Sequence, residues 1–189
     1  MGRQSKENDI LDLFFNQPTK QWHFKALEDN IPIAKSKIAK WLNIFQKQNI
    51  IKRIKTDGKM PFYISKHGHS DYRYKKRMFA FEKLYDSGLL SYLGNLKDTE
   101  SIILFGSFSR SDWTEESDID IFISGNPSKI NIGKFERYLH RDIQIFLVRN
   151  NSELGKLGPG LIKNIIKGTL LKGTITDEMI KNACVQNPR

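Results

Sequence analysis

A chain of 189 residues is long enough for one ordinary domain or two small ones, and its 39% hydrophobic content supports a packed core. It contains no apolar run near the ~20 residues of a membrane span, no signal-peptide pattern at its N-terminus, and one cysteine, Cys184, which excludes an internal disulfide. We therefore expect a cytoplasmic protein with no membrane partner. The net charge of +10 favours an anionic partner such as nucleic acid, with solubility alone as the alternative.

The basic excess is concentrated in residues 1–68, which carry 13 Lys and Arg against 6 Asp and Glu. A first helix is predicted there because four apolar residues recur at helical spacing: Ile10, Leu11, Phe14 and Phe15. A second helix is predicted after Thr19 as its N-cap, with Phe24 and Leu27 facing the core.

A third, longer helix is predicted from about residue 33 to residue 48. Its apolar stripe is Ile38, Leu42 and Phe45, and its opposite face is rich in lysine. Two short strand-like runs then flank Asp57-Gly58, a dipeptide that indicates a β-hairpin.

Three helices followed by a hairpin resemble a winged helix-turn-helix domain over residues 1–68. The resemblance implies that the third helix enters the major groove of duplex DNA and that the hairpin acts as the wing. The alternative is a winged helix that mediates dimerisation or merely packs, its lysines forming a solvated face. The residues that would contact phosphates or bases are Lys35, Ser36, Lys37, Lys40, Lys52, Arg53, Lys55 and Lys59.

Residues 69–97 are predicted to form a mainly helical connector. Five of its apolar residues are available for packing: Phe79, Phe81, Leu84, Tyr85 and Leu89.

The stretch with the most chemical information begins after the connector. Ser101–Gly106 is a short apolar run that ends in glycine, which predicts a buried strand. Ser117–Ser124 alternates, so Asp118 and Asp120 project from one face, about 7 Å apart along the strand, while isoleucines occupy the other.

Two ionised carboxylates on one face repel each other unless a cation lies between them. Magnesium favours such hard oxygen ligands and usually arrives with a substrate's phosphates. Gly106 lets the backbone approach a phosphate closely, and Ser107 offers a hydroxyl at a helix start. The layout is therefore suited to a magnesium–nucleoside triphosphate.

Gly106, Ser107, Asp118 and Asp120 resemble the G-S-x10-D-x-D signature of the DNA polymerase β-like nucleotidyltransferase superfamily. The resemblance implies an α+β fold for residues 98–189, with a small mixed β-sheet and flanking helices, preceded by the winged helix.

The chain departs from the small members of this superfamily at one point. They commonly have G-S-x-A-R-G, whereas here Ser109 and Ser111 replace the small alanine and glycine. Arg110 is retained, and the resemblance implies that it contacts the triphosphate together with Gly106 and Ser107.

The superfamily requires a third carboxylate on a neighbouring strand, and the run 140–148 is the candidate. Asp142 and Gln144 share one face of it. An apolar residue on each side of the acid would select Gln144, but similar small members have R-E-I-Q-L-F, which matches Asp142. We therefore expect Asp142 to be the third acid; the alternative is that it only caps the strand.

The resemblance also implies the chemistry. Asp118, Asp120 and Asp142 would hold two Mg²⁺ ions that flank the displacement of pyrophosphate from a nucleoside triphosphate, with ATP as the expected donor to an acceptor hydroxyl. Similar small proteins are antitoxins that attach AMP to a tyrosine of a HEPN-type toxin. Two alternatives stay open: a DNA-binding regulator whose transferase domain senses nucleotide, and a transferase acting on RNA or a small molecule.

Overall fold

A computed structural model describes residues 6–184 as an α+β protein that divides into two compact units. The first unit runs to Phe79 and includes Ser111–Glu115, and the second comprises Ala80–Arg110 and the chain from Glu116 onward. Among the residues it describes, no helix is long and apolar enough to cross a membrane.

Among the described residues, the first unit contains three complete helices, the first part of a fourth, and a three-stranded antiparallel sheet. Strand order is β1-β3-β2, with β2 and β3 joined around Asp57-Gly58, so the predicted hairpin is confirmed. The elements are α1 (Lys6–Asn16), β1 (Trp22–His23), α2 (Phe24–Asn30), α3 (Lys35–Lys47), β2 (Ile51–Ile54) and β3 (Phe62–Ser65).

The prediction of Thr19 as the N-cap of the second helix is wrong. Trp22 and His23 pair with Tyr63 and Phe62 of β3, so these two residues are extended and α2 begins only at Phe24. His23 occupies the N-cap position without a side-chain capping bond. Pairing with a strand some forty residues further along the chain thus overrides the local cap signal.

The predicted apolar stripes of α1 and α3 are buried and form the core of the first unit. Trp113 joins this core: it is 2% exposed, stacks on Phe79 with ring centroids 6.4 Å apart, and meets Phe15 edge-on. Lys76 is also buried, and its Nζ donates to the carbonyls of Phe15 and Trp113 while lying 4.3 Å from the Trp113 ring centroid. The ammonium group of Lys76 therefore joins the chain segment of Phe15 to that of Trp113 in this core.

The second unit is built on a four-stranded mixed sheet in the order β6-β5-β4-β7, in which β5 and β6 are parallel and the other pairs antiparallel. The predicted small mixed sheet with flanking helices is confirmed. Its elements are α5 (Leu89–Gly94), β4 (Thr99–Phe105), α6 (Gly106–Arg110), β5 (Ile119–Gly125), α7 (Gly133–Leu139), β6 (Ile143–Val148), α8 (Asn151–Lys156), α9 (Pro159–Ile166), β7 (Thr169–Gly173) and α10 (Asp177–Cys184).

One face of this sheet packs against α8, α9 and α10. Phe105 and Phe122 point into that layer and contact a cluster that includes Ile165 and Met179. Because side chains alternate along a strand, Asp118 and Asp120 lie on the same face as Phe122, nearer the start of β5.

Helix α4 (Ser70–Asp86) is the long helix of the predicted connector, and the division between the units falls within it. Phe79, Leu84 and Leu89 are buried as predicted. Phe81 is half-buried, and Tyr85, which was also available for packing, is 70% exposed.

Candidate active site

The two halves of the G-S…D-x-D motif meet because β4 and β5 are adjacent antiparallel strands. The register pairs Phe105 with Asp120, which brings Gly106 directly against that carboxylate. A Cβ placed on Gly106 would lie 2.0 Å from Oδ2 of Asp120, and Gly106 has a φ of +68°. Both the close approach and the backbone conformation therefore require glycine at this position.

Helix α6 begins at Gly106, so Ser107 lies in its first turn and Arg110 at its end. Asp118 is exposed and Asp120 is half-buried. Burial raises the pKa of Asp120, the neighbouring charge of Asp118 raises it further, and the nearby charge of Arg110 opposes both. The site thus places two carboxylates beside the turn that begins α6.

The position of the third acid depends on the parallel pairing of β5 and β6. The register pairs Ile119 with Ile143 and Asp120 with Gln144, and the N–H of Ile119 donates to the carbonyl of Asp142 at 2.9 Å. Asp142, which is exposed, therefore lies just before β6, one pleat earlier than Gln144 and level with the start of β5. Asp142 and Gln144, the two candidates for the third position, both lie on the face of the sheet that carries Asp120.

Arg141 links the two halves of the motif, a role that the sequence analysis did not find. Its Nη1 donates to the carbonyl of Ser117 at 2.7 Å, and its guanidinium lies 5.2 Å from the ring centroid of Phe108 in α6. Ser117 immediately precedes Asp118, and Phe108 follows Ser107 in α6. The Arg141 side chain therefore contacts the segments that carry the first aspartate and the Gly-Ser turn. The only sequence signal was its place beside Asp142.

The two serines that depart from the superfamily pattern occupy different environments. Ser109 Oγ lies 3.2 Å from Thr169 Oγ1 at the start of β7. Ser111 is buried and has a φ of 65°, in the left-handed region that glycine adopts without strain. The backbone here keeps the conformation that favours glycine although the residue is a serine.

The carboxylates fit a magnesium ion that shares its ligands with a nucleotide. Asp118 and Asp120 supply two hard oxygen donors on one face. Burial, and after it the charge of Asp118, raises the pKa of Asp120, and a bound cation would offset the second of these causes. Within residues 6–184, no group of three or more His, Cys, Asp or Glu side chains is arranged to hold a metal ion by itself. Phosphate oxygens would complete the coordination.

Replacing Asp120 with asparagine should raise the melting temperature of the metal-free protein at pH 7 by a few degrees. The folded-state pKa of Asp120 lies above its ordinary value of 3.8, so its stabilising contribution is complete below that pH and is lost as the pH rises through the folded pKa. The advantage of Asp120→Asn should therefore vanish as the pH falls toward about 4. Thermal melts in EDTA between pH 4 and 8 measure the difference.

The matched control for this stability prediction is Asp177→Asn, which changes an exposed aspartate on α10. It should show no comparable gap from the wild type at any pH. A wild type that melts at or above the temperature of Asp120→Asn at pH 7 would contradict the prediction.

The eight predicted DNA-binding residues are all exposed. Four lie in the first two turns of α3, and four lie on β2 and in the hairpin turn. Lys35 Nζ is 3.1 Å from Oε1 of Glu28, so this lysine already has an anionic partner. A shallow groove on α3 has a mixed polar and apolar lining, and Ser36 and Lys40 are its two members among the predicted DNA contacts. The lining residues are Ser36, Ala39, Lys40, Asn43, Ile44 and Lys47.

A mixed sheet with a Gly-Ser turn and an Asp-x-Asp strand defines the class of nucleotidyltransferase domains. The comparison with protein families agrees: residues 87–182, just over half of the 189, match the family described as nucleotidyltransferase domain. The chain belongs to this family.

Three more specific likenesses accompany the family match. A protein named as a putative protein adenylyltransferase of Methanocaldococcus jannaschii is 60% identical over 35 residues, which is 18% of this chain and 32% of that protein. The match thus spans about a third of that relative's length. The other two are solved structures.

The crystal structure of a toxin-antitoxin with AMP-PNP is similar over 54% of this chain and 79% of that one, at 24% identity and a TM-score of 0.36. A mutant of the toxin-antitoxin MntA-HpeT is similar over 57% and 80%, at 22% identity and a TM-score of 0.35. Both likenesses are too remote to bear on function.

Proposed function

We propose that the protein transfers a nucleoside monophosphate, AMP from ATP, to an acceptor hydroxyl. The observation that carries the proposal is the contact of Gly106 with Asp120, which joins the Gly-Ser turn to a pair of carboxylates inside the matched nucleotidyltransferase region. The acceptor oxygen forms a bond to the α-phosphorus, the bond from that phosphorus to the bridging oxygen breaks, and pyrophosphate leaves. The proton of the acceptor hydroxyl passes to Asp142.

The residues of the chain have separate tasks in this proposal. Gly106 leaves room for the Asp120 carboxylate against the backbone of the turn, and the Ser107 hydroxyl donates a hydrogen bond to a phosphate oxygen. Arg110 neutralises charge on the triphosphate. Asp118, Asp120 and Asp142 hold Mg²⁺, two ions by the superfamily resemblance. When bound, the metal neutralises phosphate charge and makes the acceptor hydroxyl more acidic.

A protein hydroxyl is the acceptor class that we favour. The Methanocaldococcus jannaschii relative is named as a putative protein adenylyltransferase, and the 35 residues over which it matches are 60% identical to this chain. The resemblance to antitoxins that modify HEPN-type toxins makes a tyrosine of such a partner the first acceptor to test.

The test follows the two ends of the triphosphate separately. The purified chain is incubated with Mg²⁺, a candidate acceptor protein, and ATP labelled either at the α- or at the γ-phosphate. Label from the α-position alone should enter the acceptor, and γ-label should appear in pyrophosphate. Transfer of γ-label would indicate phosphoryl transfer and would overturn the proposal.

Duplex DNA binding by the first unit is a second proposed function, supported by its three helices, its hairpin and its exposed lysines. The groove on α3 presents serine, lysine and asparagine side chains beside Ala39 and Ile44, and the polar ones can contact phosphates or base edges. If DNA binding occurs without detectable AMP transfer, the protein is a regulator whose transferase domain senses nucleotide.

Replacing Lys35, Lys37 and Lys40 together with alanine should weaken duplex binding and make it less sensitive to salt. The slope of log K against log salt should fall by about 2 to 3, because each phosphate contact contributes about 0.9. Fluorescence anisotropy with a labelled duplex at several salt concentrations measures this slope.

A control triple variant keeps the charge change but moves it to the second unit. Lys163, Lys167 and Lys181 are exposed lysines on or beside α9 and α10, and their replacement with alanine should leave the slope nearly unchanged. Equal loss in both triple variants, or no duplex binding at low salt, would end the DNA proposal.

A further inference from the structure

Helix α4 carries an exposed apolar stripe, which we call the α4 seam: Tyr74, Met78, Phe81 and Tyr85. Three of these side chains are about 70% exposed, with values of 68% for Tyr74, 69% for Met78 and 70% for Tyr85, and Phe81 is half-buried. Most exposed apolar residues of a soluble protein are scattered singly, whereas these four recur along one helix.

The spacing within the α4 seam is four, three and four residues. Alternation of three and four places side chains along one line of a helix, which is the a/d pattern of helices that pair by knobs-into-holes packing. Met78 and Tyr85 take the a positions, and Tyr74 and Phe81 take the d positions. All four belong to one continuous helix, so helix geometry alone sets their alignment.

The charges beside the α4 seam indicate the partner and its direction. Arg77 occupies the g position and Glu82 the following e position, and both are exposed. In a parallel helix pair, each g residue meets the e residue five positions later in the other helix. Two copies of α4 would therefore bring Arg77 of each copy to Glu82 of the other, whereas an antiparallel pair would place these charges on opposite sides.

We propose that the α4 seam docks on the α4 seam of a second copy of this chain, as a parallel two-fold helix pair. The self-complementary charges favour an identical partner, and the two-fold relation makes both surfaces equivalent. The seam spans only three helical turns, so the interface is at the small end for specific association. We expect a reversible dimer with a micromolar dissociation constant.

Sedimentation equilibrium of the full chain over a range of concentrations tests the proposal. The wild type should show monomer and dimer in exchange, and Met78→Glu should weaken the dimer at least about tenfold. Met60→Glu is the matched control, because Met60 is 76% exposed but lies outside α4 and should leave the dimer intact. A wild type that stays monomeric at high micromolar concentration, or equal loss in both variants, would overturn the proposal.

Charge exchange tests the direction of the helices. Arg77→Glu and Glu82→Arg should each weaken the dimer, because each places like charges together across a parallel interface. The double variant should regain the wild-type dissociation constant within about threefold. Failure of the double variant to recover would contradict the parallel arrangement.

Disulfide trapping provides a second measure that does not depend on charge. With Cys184 replaced by serine, Met78→Cys should form a disulfide between copies under mild oxidation, because equivalent a positions face each other in a parallel pair. Met60→Cys in the same background should not. Circular dichroism should show an unchanged helix content for every variant. A disulfide that forms in the Met60→Cys variant and not in the Met78→Cys variant would contradict the proposal.

Discussion

Replacing either Asp118 or Asp120 with asparagine should lower AMP transfer by at least about a thousandfold and abolish magnesium-dependent nucleotide binding. Asparagine has nearly the same shape but carries no negative charge, so it should keep the fold and remove a carboxylate that the proposed Mg²⁺ site requires. The α-labelled ATP assay measures transfer, and calorimetry with ATP in Mg²⁺ or in EDTA measures binding.

Asp177→Asn is again the matched control, since it removes one exposed carboxylate from α10 and should leave both measurements unchanged. Full transfer by Asp118→Asn or Asp120→Asn, combined with a large loss of stability, would show that these carboxylates serve only the fold.

The same assays decide between the two candidates on β6. We expect Asp142→Asn to reduce transfer strongly and Gln144→Ala to have a small effect, because an amide is a poor magnesium ligand and cannot accept the proton of the acceptor. The register pairs Gln144 with Asp120. A large effect of Gln144→Ala would therefore indicate that Gln144, and not Asp142, is the third residue of the site.

Replacing Lys76 with alanine should destabilise the first unit by about 3 to 5 kcal/mol. The substitution removes the Nζ donor from the carbonyls of Phe15 and Trp113 and leaves a cavity beside the Trp113 ring. Urea unfolding followed by tryptophan fluorescence measures this loss selectively, since all three tryptophans, Trp22, Trp41 and Trp113, belong to the first unit.

Two comparisons separate the causes of this destabilisation. Lys76→Met fills much of the lysine volume and should cost less than the alanine variant, but it still leaves both carbonyls without that donor. Lys75→Ala removes the neighbouring lysine, whose partner is Glu7 at 3.0 Å in a partly exposed ion pair, and should cost less than about 1 kcal/mol. Similar losses for Lys75→Ala and Lys76→Ala would contradict the role of the buried cation.

The parts of the fold that sequence predicted are those encoded by local patterns. The stripes of α1 and α3 follow helical spacing, the hairpin follows Asp57-Gly58, and the alternation around Asp118 and Asp120 places both carboxylates on one face. These features depend on residues a few positions apart, so periodicity and turn chemistry are sufficient to find them.

Tertiary structure alone decided the features that join distant residues. Strand β1 exists because Trp22 and His23 pair with β3, and Trp113 is buried against Phe15 and Phe79 although it lies between the two halves of the motif. The link from Arg141 to Ser117, and the choice of Gln144 as the neighbour of Asp120, depend on strand register. Such contacts arise from packing between segments 24 to 98 residues apart, where no local periodicity specifies the partner.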